Sequence, residues 1–218
     1  MLRECLGVLE FFDLAAAPRV PWKNGGGSTQ ELVCWPPGAG MDGFEWRVSV
    51  ATIATPGPFS AFPGVDRQIM LLAGDGVHLS SGAGGWEHTL NQAGAPFAFA
   101  GEAPVDCRML GGTSTDFNLM VRRGDWRGAL KVVSAKQSLD AIPAGLCMVL
   151  QGSWCWSDGA STRTLTAGQG LWWLNDEHEN KDDGMGEGGR VEPVGGECST
   201  GCQDQPATLA WIALEPAR

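Results

Sequence analysis

The sequence contains no tyrosine, only three histidines and no apolar run approaching 18 residues. The last absence excludes a membrane-spanning helix, which needs about 20 consecutive apolar residues. The shortage of histidine excludes a His-rich metal centre, so no metal and no cofactor is expected. No Gly-x-Ser-x-Gly is present, which removes the nucleophile-elbow hydrolases. The first residues, Met1-Leu-Arg-Glu-Cys5, lack the basic start, apolar stretch and small-residue cleavage site of a secretory leader. A cytoplasmic location is therefore expected, with no membrane partner. Bases are also scarce: 15 Lys and Arg against 25 Asp and Glu, a net charge of −10. No basic patch is visible to neutralise phosphates, so nucleic acid is not an expected partner.

What is present describes a folded chain. At 218 residues, 43% hydrophobic and 18% charged, it can bury a real core without disulfides. Seven cysteines, an odd number at irregular spacing, read as reduced thiols. Cys198-x3-Cys202 beside His178 falls short of four zinc ligands and reads as a plain loop. Glycine, at 32 residues, has about twice its usual share. With 13 prolines it breaks the chain into short strands joined by turns. Asn175 to Gln205 holds nine acids and two bases and reads as a solvated, mobile acidic insert.

Strand patterns recur along the chain. Thr29–Trp35, Glu45–Ala51, Gln68–Leu72, Val77–Leu79, Glu87–Leu90, Pro96–Ala100, Val105–Leu110 and Asp116–Arg122 are expected strands in the first half. Leu146–Leu150, Trp154–Trp156, Thr162–Leu165, Gly170–Leu174 and Ala207–Leu214 follow in the second. Ser134–Ala141 is the single helical pattern, short, and also a candidate linker. An internal echo links the halves. Leu72-Ala-Gly74, Val77–Leu79, Thr89-Leu90 and Phe97–Phe99 answer to Leu150-Gln-Gly152, Trp154–Trp156, Thr164-Leu165 and Leu171–Trp173. Gly74 and Gly152 lie 78 residues apart, a spacing that suits a duplicated β-domain of jelly-roll type. The expected domains are 1–130, with the ligand pocket, and 131–218, with the acidic insert.

Two alternating strands carry the polar candidates. Arg47, Ser49 and Ala51 share one face of theirs, and Trp46, Val48 and Val50 the other. Asn118, Met120 and Arg122 share a face of another, and Arg67 opens a third just after a turn. Arginine takes a carboxylate in a bidentate fork. Asparagine offers a donor and an acceptor to an amide or formyl group. Such a face suits a small acidic ligand more than open water, where Lys and Glu are commoner. The run Trp22-Lys-Asn-Gly-Gly-Gly27 lets the backbone approach a ligand closely, with Lys23 and Asn24 at its edge. It is not a phosphate loop, because its Lys precedes the glycines and a strand follows. Trp46 or Trp22 is read as a pocket wall, and Glu31 and Asp116 as an acid and a base if they share the pocket. Cys34 and Cys107 read as packed thiols. His78 and His88 are placed to face each other across a hairpin, one pair short of a metal site.

Four segments in order carry a family resemblance. They are Pro21-Trp-Lys-Asn-Gly-Gly-Gly-Ser-Thr29 with Glu31, Trp46-Arg-Val-Ser-Val-Ala51, Gly57-Pro-Phe-Ser-Ala-Phe-Pro-Gly-Val-Asp-Arg67 and Asp116-Phe-Asn-Leu-Met-Val-Arg-Arg123. Together they resemble the HutD/Ves family of bicupins, linked to bacterial histidine utilisation. The resemblance covers roughly residues 18 to 125. It implies an all-β bicupin, two jelly-roll-type barrels in one chain with little helix, and a pocket in the first that takes in Phe59 and Ser60. It also implies a regulatory protein, not an enzyme in the ordinary sense, that binds an acidic intermediate such as N-formylglutamate. The alternative is a metal-independent cupin enzyme acting on an N-acyl glutamate. A homodimer is left open.

Overall fold

In a computed structural model of the chain, residues 7–175, 189–194 and 206–217 are described. Among them the frequent glycines and prolines leave room for one turn of helix only, α1 (Gly40–Gly43), and the rest of the regular structure is strand. In chain order the strands are β1 (Val8–Asp13), β2 (Arg19–Pro21), β3 (Gly27–Trp35), β4 (Trp46–Ile53), β5 (Gly57–Pro58), β6 (Val65–Ala73) and β7 (Val77–Ser81). Then come β8 (Trp86–Leu90), β9 (Pro96–Ala100), β10 (Asp106–Met109), β11 (Ser114–Arg122), β12 (Trp126–Val133) and β13 (Gln137–Ser138). β14 (Ala144–Gln151), β15 (Ser153–Ser157), β16 (Thr162–Thr166), β17 (Gln169–Leu174), β18 (Arg190–Pro193) and β19 (Thr208–Pro216) complete the order. No described helix is long and apolar enough to cross a membrane.

The chain divides into a central unit, Ala16–Lys131 with Pro216–Arg218, and a terminal unit, Met1–Ala15 with Val132–Glu215. The central unit has a six-stranded sheet, ordered β2-β3-β4-β11-β6-β9, and a four-stranded sheet, β5-β10-β7-β8. Ile53, Ile69, Leu71 and Phe99 of the first sheet pack with Val77, Leu79, Leu90 and Cys107 of the second in one core. β4 and β11 are buried on both faces, which explains why they are rich in Val, Leu and Phe even between their polar residues. In the terminal unit β1-β17-β14-β19 forms one sheet and β13-β18-β15-β16 another. Their shared core holds Trp154, Trp156, Trp173 and Trp211 with Cys147, Val149, Leu165, Leu171, Val191 and Leu209.

The echo in the sequence corresponds to an echo in topology. β6 lies between β11 and β9, and β14 lies between β19 and β17. β10 lies between β5 and β7, and β18 between β13 and β15. The glycines that align, Gly74 and Gly152, both take positive φ at their hairpins, +97° and +75°. At Gly74 any Cβ would also run into the Thr113 carbonyl oxygen and Ser114.

Several expectations are corrected. Residues 134–141 form no helix: Gln137–Ser138 pairs with β18, and Leu139 is pulled into the terminal core with its amide bonded to the Gly189 carbonyl. Eight residues bury too little as a helix to compete with those bonds. The acidic insert is not loop throughout, because Arg190–Pro193 is a strand between β13 and β15 with Val191 fully buried. The remaining expectation for 175–205, mobility included, falls on 176–188 and 195–205, outside the described residues, as do His178, Cys198 and Cys202. β1 pairs along its whole length with β17, so the first strand joins the terminal unit and not the half that follows it in sequence. The sheets are open: among the described residues none closes into a barrel, so the all-β class stands and the two-barrel arrangement is not seen as such.

Candidate functional site

Side chains alternate across a strand, so the inner face of the six-stranded sheet can be read from its register. Arg47 sits opposite Met120, Ser49 opposite Asn118 and Ala51 opposite Asp116. On the other side of β11, Met120 sits opposite Arg67, Asn118 opposite Ile69 and Asp116 opposite Leu71. A polar patch thus grows out of the apolar core on one continuous face. Above it lies a cavity of about 650 Å³. Its floor is Arg47 and Ser49 of β4, Arg67 of β6, and Asp116, Asn118 and Met120 of β11, with the more exposed Glu31 of β3 at its edge. Trp22, Lys23 and Asn24 from the β2–β3 turn form one wall. Pro58, Phe59, Ser60 and Phe62 form another, and Met41 of α1 a third.

The β2–β3 turn is held by its own bonds. The Asn24 Oδ1 accepts from the Gly26 amide at 3.0 Å, and the Trp22 indole donates to Thr29 Oγ1 at 2.8 Å. Gly25 takes φ +72°. A Cβ on Gly27 would run into the Thr52 carbonyl oxygen and the Trp22 ring, so that glycine lets the turn lie close on β4.

The two arginines of the floor are in different states. Arg47 donates through Nε to Glu31 Oε2 at 2.7 Å and through Nη1 to Ser49 Oγ at 3.3 Å. Its partner Glu31 is 48% exposed, at the cavity mouth. Arg67 is buried and donates through Nη2 to Asn118 Oδ1 at 3.1 Å, while its Nε has no partner. The rings of Phe99, Phe59 and Phe62 lie 5.0, 5.4 and 5.6 Å from its guanidinium carbon. Those cation–π contacts compensate part of its lost hydration. Burial lowers the Arg67 pKa to about 10; the Asp116 charge resists that shift and the Arg47 charge adds to it. Asp116 is buried too, and its Oδ1 has no partner. Burial pushes its carboxyl up to about 7, against the pull of Arg67. Cys107 is pushed up to about 11 by burial and by Asp116, the state of an inert packed thiol.

Of the residues expected at the site, Lys23, Asn24, Arg47, Ser49, Phe59, Ser60, Arg67, Asn118 and Met120 line this one cavity. Trp46 does not. It precedes Arg47, so alternation turns it to the opposite face, fully buried and stacked on Trp35. Arg122 does not either. It has the parity of Asn118 but lies at the strand end, where Nε and Nη2 donate to the carbonyls of Phe44 and Asp42 beside α1. Glu31, Asp116 and Trp22, weighed more lightly, do line the cavity, and Thr29, Met41 and Phe62 join them. The parity of Asp116 with Asn118, and of Thr29 with Glu31, is the signal that points to them. His78 and His88 do not face each other. His88 sits opposite Leu79 and stacks on Phe97, while His78, one residue off, bonds Thr89 on the other face. Among the described residues no three His, Cys, Asp or Glu side chains are grouped to hold a metal ion.

Comparison with known proteins places this arrangement. The family model HutD matches residues 14–187. Protein Ves of Cronobacter sakazakii is 40% identical over 171 residues, 78% of this chain and 90% of that one. Protein Ves of Citrobacter koseri is 39% identical over 171 residues, 78% of this chain and 85% of that one. Among solved structures, a conserved protein of unknown function from Pseudomonas aeruginosa PAO1 is similar at TM-score 0.76 and 29% identity, covering 95% of this chain and 99% of that one. HutD from Pseudomonas fluorescens SBW25, determined in a formate condition, gives TM-score 0.71 and 26% identity over 97% and 100%. Oxalate decarboxylase of Bacillus subtilis shares the fold alone, at TM-score 0.58 and 10% identity over 93% and 76%. The fold is accordingly cupin-like.

Proposed function

The chain belongs to the HutD family, and from that membership we propose that its central unit is a receptor for a small acidic metabolite of histidine utilisation, N-formylglutamate or a close N-acyl relative. One observation carries the reading: two guanidiniums, Arg47 and Arg67, line one mostly apolar cavity together with the neutral hydrogen-bonding groups of Asn118 and Ser49. Buried arginine is costly and rare without a partner of opposite charge. Here Arg67 makes one side-chain hydrogen bond, to Asn118, and its side chain lines a space large enough for a six- to twelve-atom acid. A dicarboxylate bearing an amide would engage the arginines with its carboxylates and Asn118 with its acyl group. We take the paired sheets of each unit as opened barrels of a bicupin, with the pocket in the first, and the protein as a regulatory binder in the cytoplasm.

Calorimetric titration of N-formyl-L-glutamate tests this. Charge-assisted hydrogen bonds contribute about 1.5–3 kcal/mol each, so Arg47→Ala or Asn118→Ala should weaken binding by roughly ten- to a hundredfold. Arg127→Ala, exposed and off the cavity, serves as the unchanged control. A wild-type protein that binds no acidic ligand at millimolar concentration removes the proposal. The buried Asp116 carboxyl favours one second reading, a metal-independent enzyme using it as general acid or base. Release of formate from N-formylglutamate by the protein, lost in Asp116→Asn, would establish that reading instead.

A further inference from the structure

Arg67 and Asp116 line the same cavity, both nearly inaccessible to water, and two of their polar atoms, the Arg67 Nε and the Asp116 Oδ1, are sealed off without a partner. Yet they form no ion pair with each other. Both side chains reach the lining of a cavity of about 650 Å³, so a polar group that enters it meets the cation and the acid together. The charges around it are already close to balance. Arg47 is paired with Glu31, and Arg67 is offset by Asp116. A carboxylate placed on Arg67 would put two acids side by side in a low-dielectric site, where only one can stay ionised.

We propose that Asp116 is the specificity-determining residue of this cavity: the ligand's carboxylate is taken up together with one proton, which Asp116 holds and donates as an O–H hydrogen bond to a ligand oxygen while the Arg67 guanidinium donates to the carboxylate. The inference deepens the binding reading and rests on it. The ligand class that fits is a weak carboxylic acid. A ligand presenting an amine would leave Asp116 ionised and Arg67 unanswered. Burial favours this protonation, and the side chains around Asp116 are mostly uncharged. Cys107, from β10, is a neutral thiol, and Ser49, Asn118 and Met120 carry no charge. Arg67 opposes it, and Arg47, Glu31 and Lys23 also lie on the cavity lining. Burial has already brought the free carboxyl to the edge of protonation at neutral pH, so the ligand's charge need supply only the remainder.

The test is calorimetric titration with N-formyl-L-glutamate and with glutarate at pH 6 and pH 8.5, each in two buffers of different ionisation enthalpy. The expected result for wild type is uptake of close to one proton per ligand at pH 8.5, and a Kd that rises up to about tenfold per pH unit above pH 7. Asp116→Asn is neutral and keeps a donor. It should bind with little proton uptake, and at pH 8.5 at least as tightly as wild type. Carboxyl NMR of the ligand-free wild type should show the Asp116 resonance titrating near neutrality. Binding of both probes without proton uptake, or an Asp116→Asn variant weakened equally at both pH values, overturns this inference and leaves the binding reading intact. An Asp116 midpoint below pH 5 does the same. Failure of both probes to bind at millimolar concentration removes the binding reading and this inference with it.

Discussion

The two units repeat one topology and fill it differently. Aligning Gly74 with Gly152 sets Arg67 against Gly145, Ile69 against Cys147 and Leu71 against Val149. The registers extend the match across the sheet. Arg67 lies opposite Met120 and Phe99, and Gly145 opposite Ala213 and Trp173. Asn118 answers to Trp211 and Asp116 to Leu209. In the central unit these positions make a polar floor under an open cavity. In the terminal unit the missing side chain of Gly145 is replaced by the Trp173 ring, which packs 5.0 Å from Trp211. One unit thus spends these positions on burial and the other on the lining of a cavity. The lesson is that a filled core and an open cavity are divided between units of one topology, because the same handful of inward positions cannot serve both.

Moving residues across the alignment breaks the comparison most sharply. Gly145→Arg should unfold the terminal core, since even a Cβ there would run into the Ile212 carbonyl oxygen and the Trp173 ring. A loss above about 4 kcal/mol is expected, read as loss of the cooperative thermal transition. A tolerated arginine would mean that this interior also has room. Trp211→Asn, which copies Asn118, should cost about 3–5 kcal/mol by denaturant titration, because Trp211 is almost wholly buried.

The reverse exchange separates the two roles. Arg67→Leu removes a buried cation and should leave stability within about 1–2 kcal/mol of wild type or raise it, while anion binding falls by roughly ten- to a hundredfold. A large stability loss with binding retained would make Arg67 structural.

Acidity sharpens the contrast further. The folded-state pKa of Asp116, about 7, lies above its ordinary value of 3.8. The folded state therefore holds a proton that the unfolded state has lost between those values. The stability associated with Asp116 is highest below pH 4, falls as pH rises toward 7, and is flat beyond. Asp116→Asn should remove that slope and be the more stable protein at pH 8, by up to a few kcal/mol. Denaturant titrations from pH 4.5 to 8 would show it, and parallel curves for the two proteins would refute it.

The smallest effect is at the mouth. Glu31→Gln loosens a pair whose acid is 48% exposed, so stability should change by less than about 1 kcal/mol. Freed from its partner, Arg47 should bind an anion a few-fold more tightly.

Much of the central sheet is legible in the sequence because period-2 alternation and register are the same fact seen twice: alternation alone puts Arg47 with Ser49, and Asn118 with Met120, on one face. Gly74 and Gly152 announce the duplication because a positive-φ turn tolerates few other residues. What is not legible depends on long-range partners. β1 has no pattern that says it pairs with a strand some 160 residues away, and β18 is hidden in an acidic stretch because only Val191 is fully buried. Residues 134–141 have helical spacing, but their bonds are claimed by residues 189–191. Trp46 and Arg122 fall outside the cavity for different reasons: one has the wrong parity, and the other lies at a strand end that aims its side chain at a neighbouring helix turn. Asp116 has the right parity, and only its burial, a tertiary property, gives it weight.

The most direct measurement is a crystal structure of the protein grown with N-formyl-L-glutamate. The account predicts one ligand in the central unit, with a carboxylate within hydrogen-bond distance of the Arg67 guanidinium and of Asp116, and no ligand among Trp154, Trp173 and Trp211 of the terminal unit. A ligand seated in the terminal core, or a central cavity left empty at saturating concentration, would contradict it.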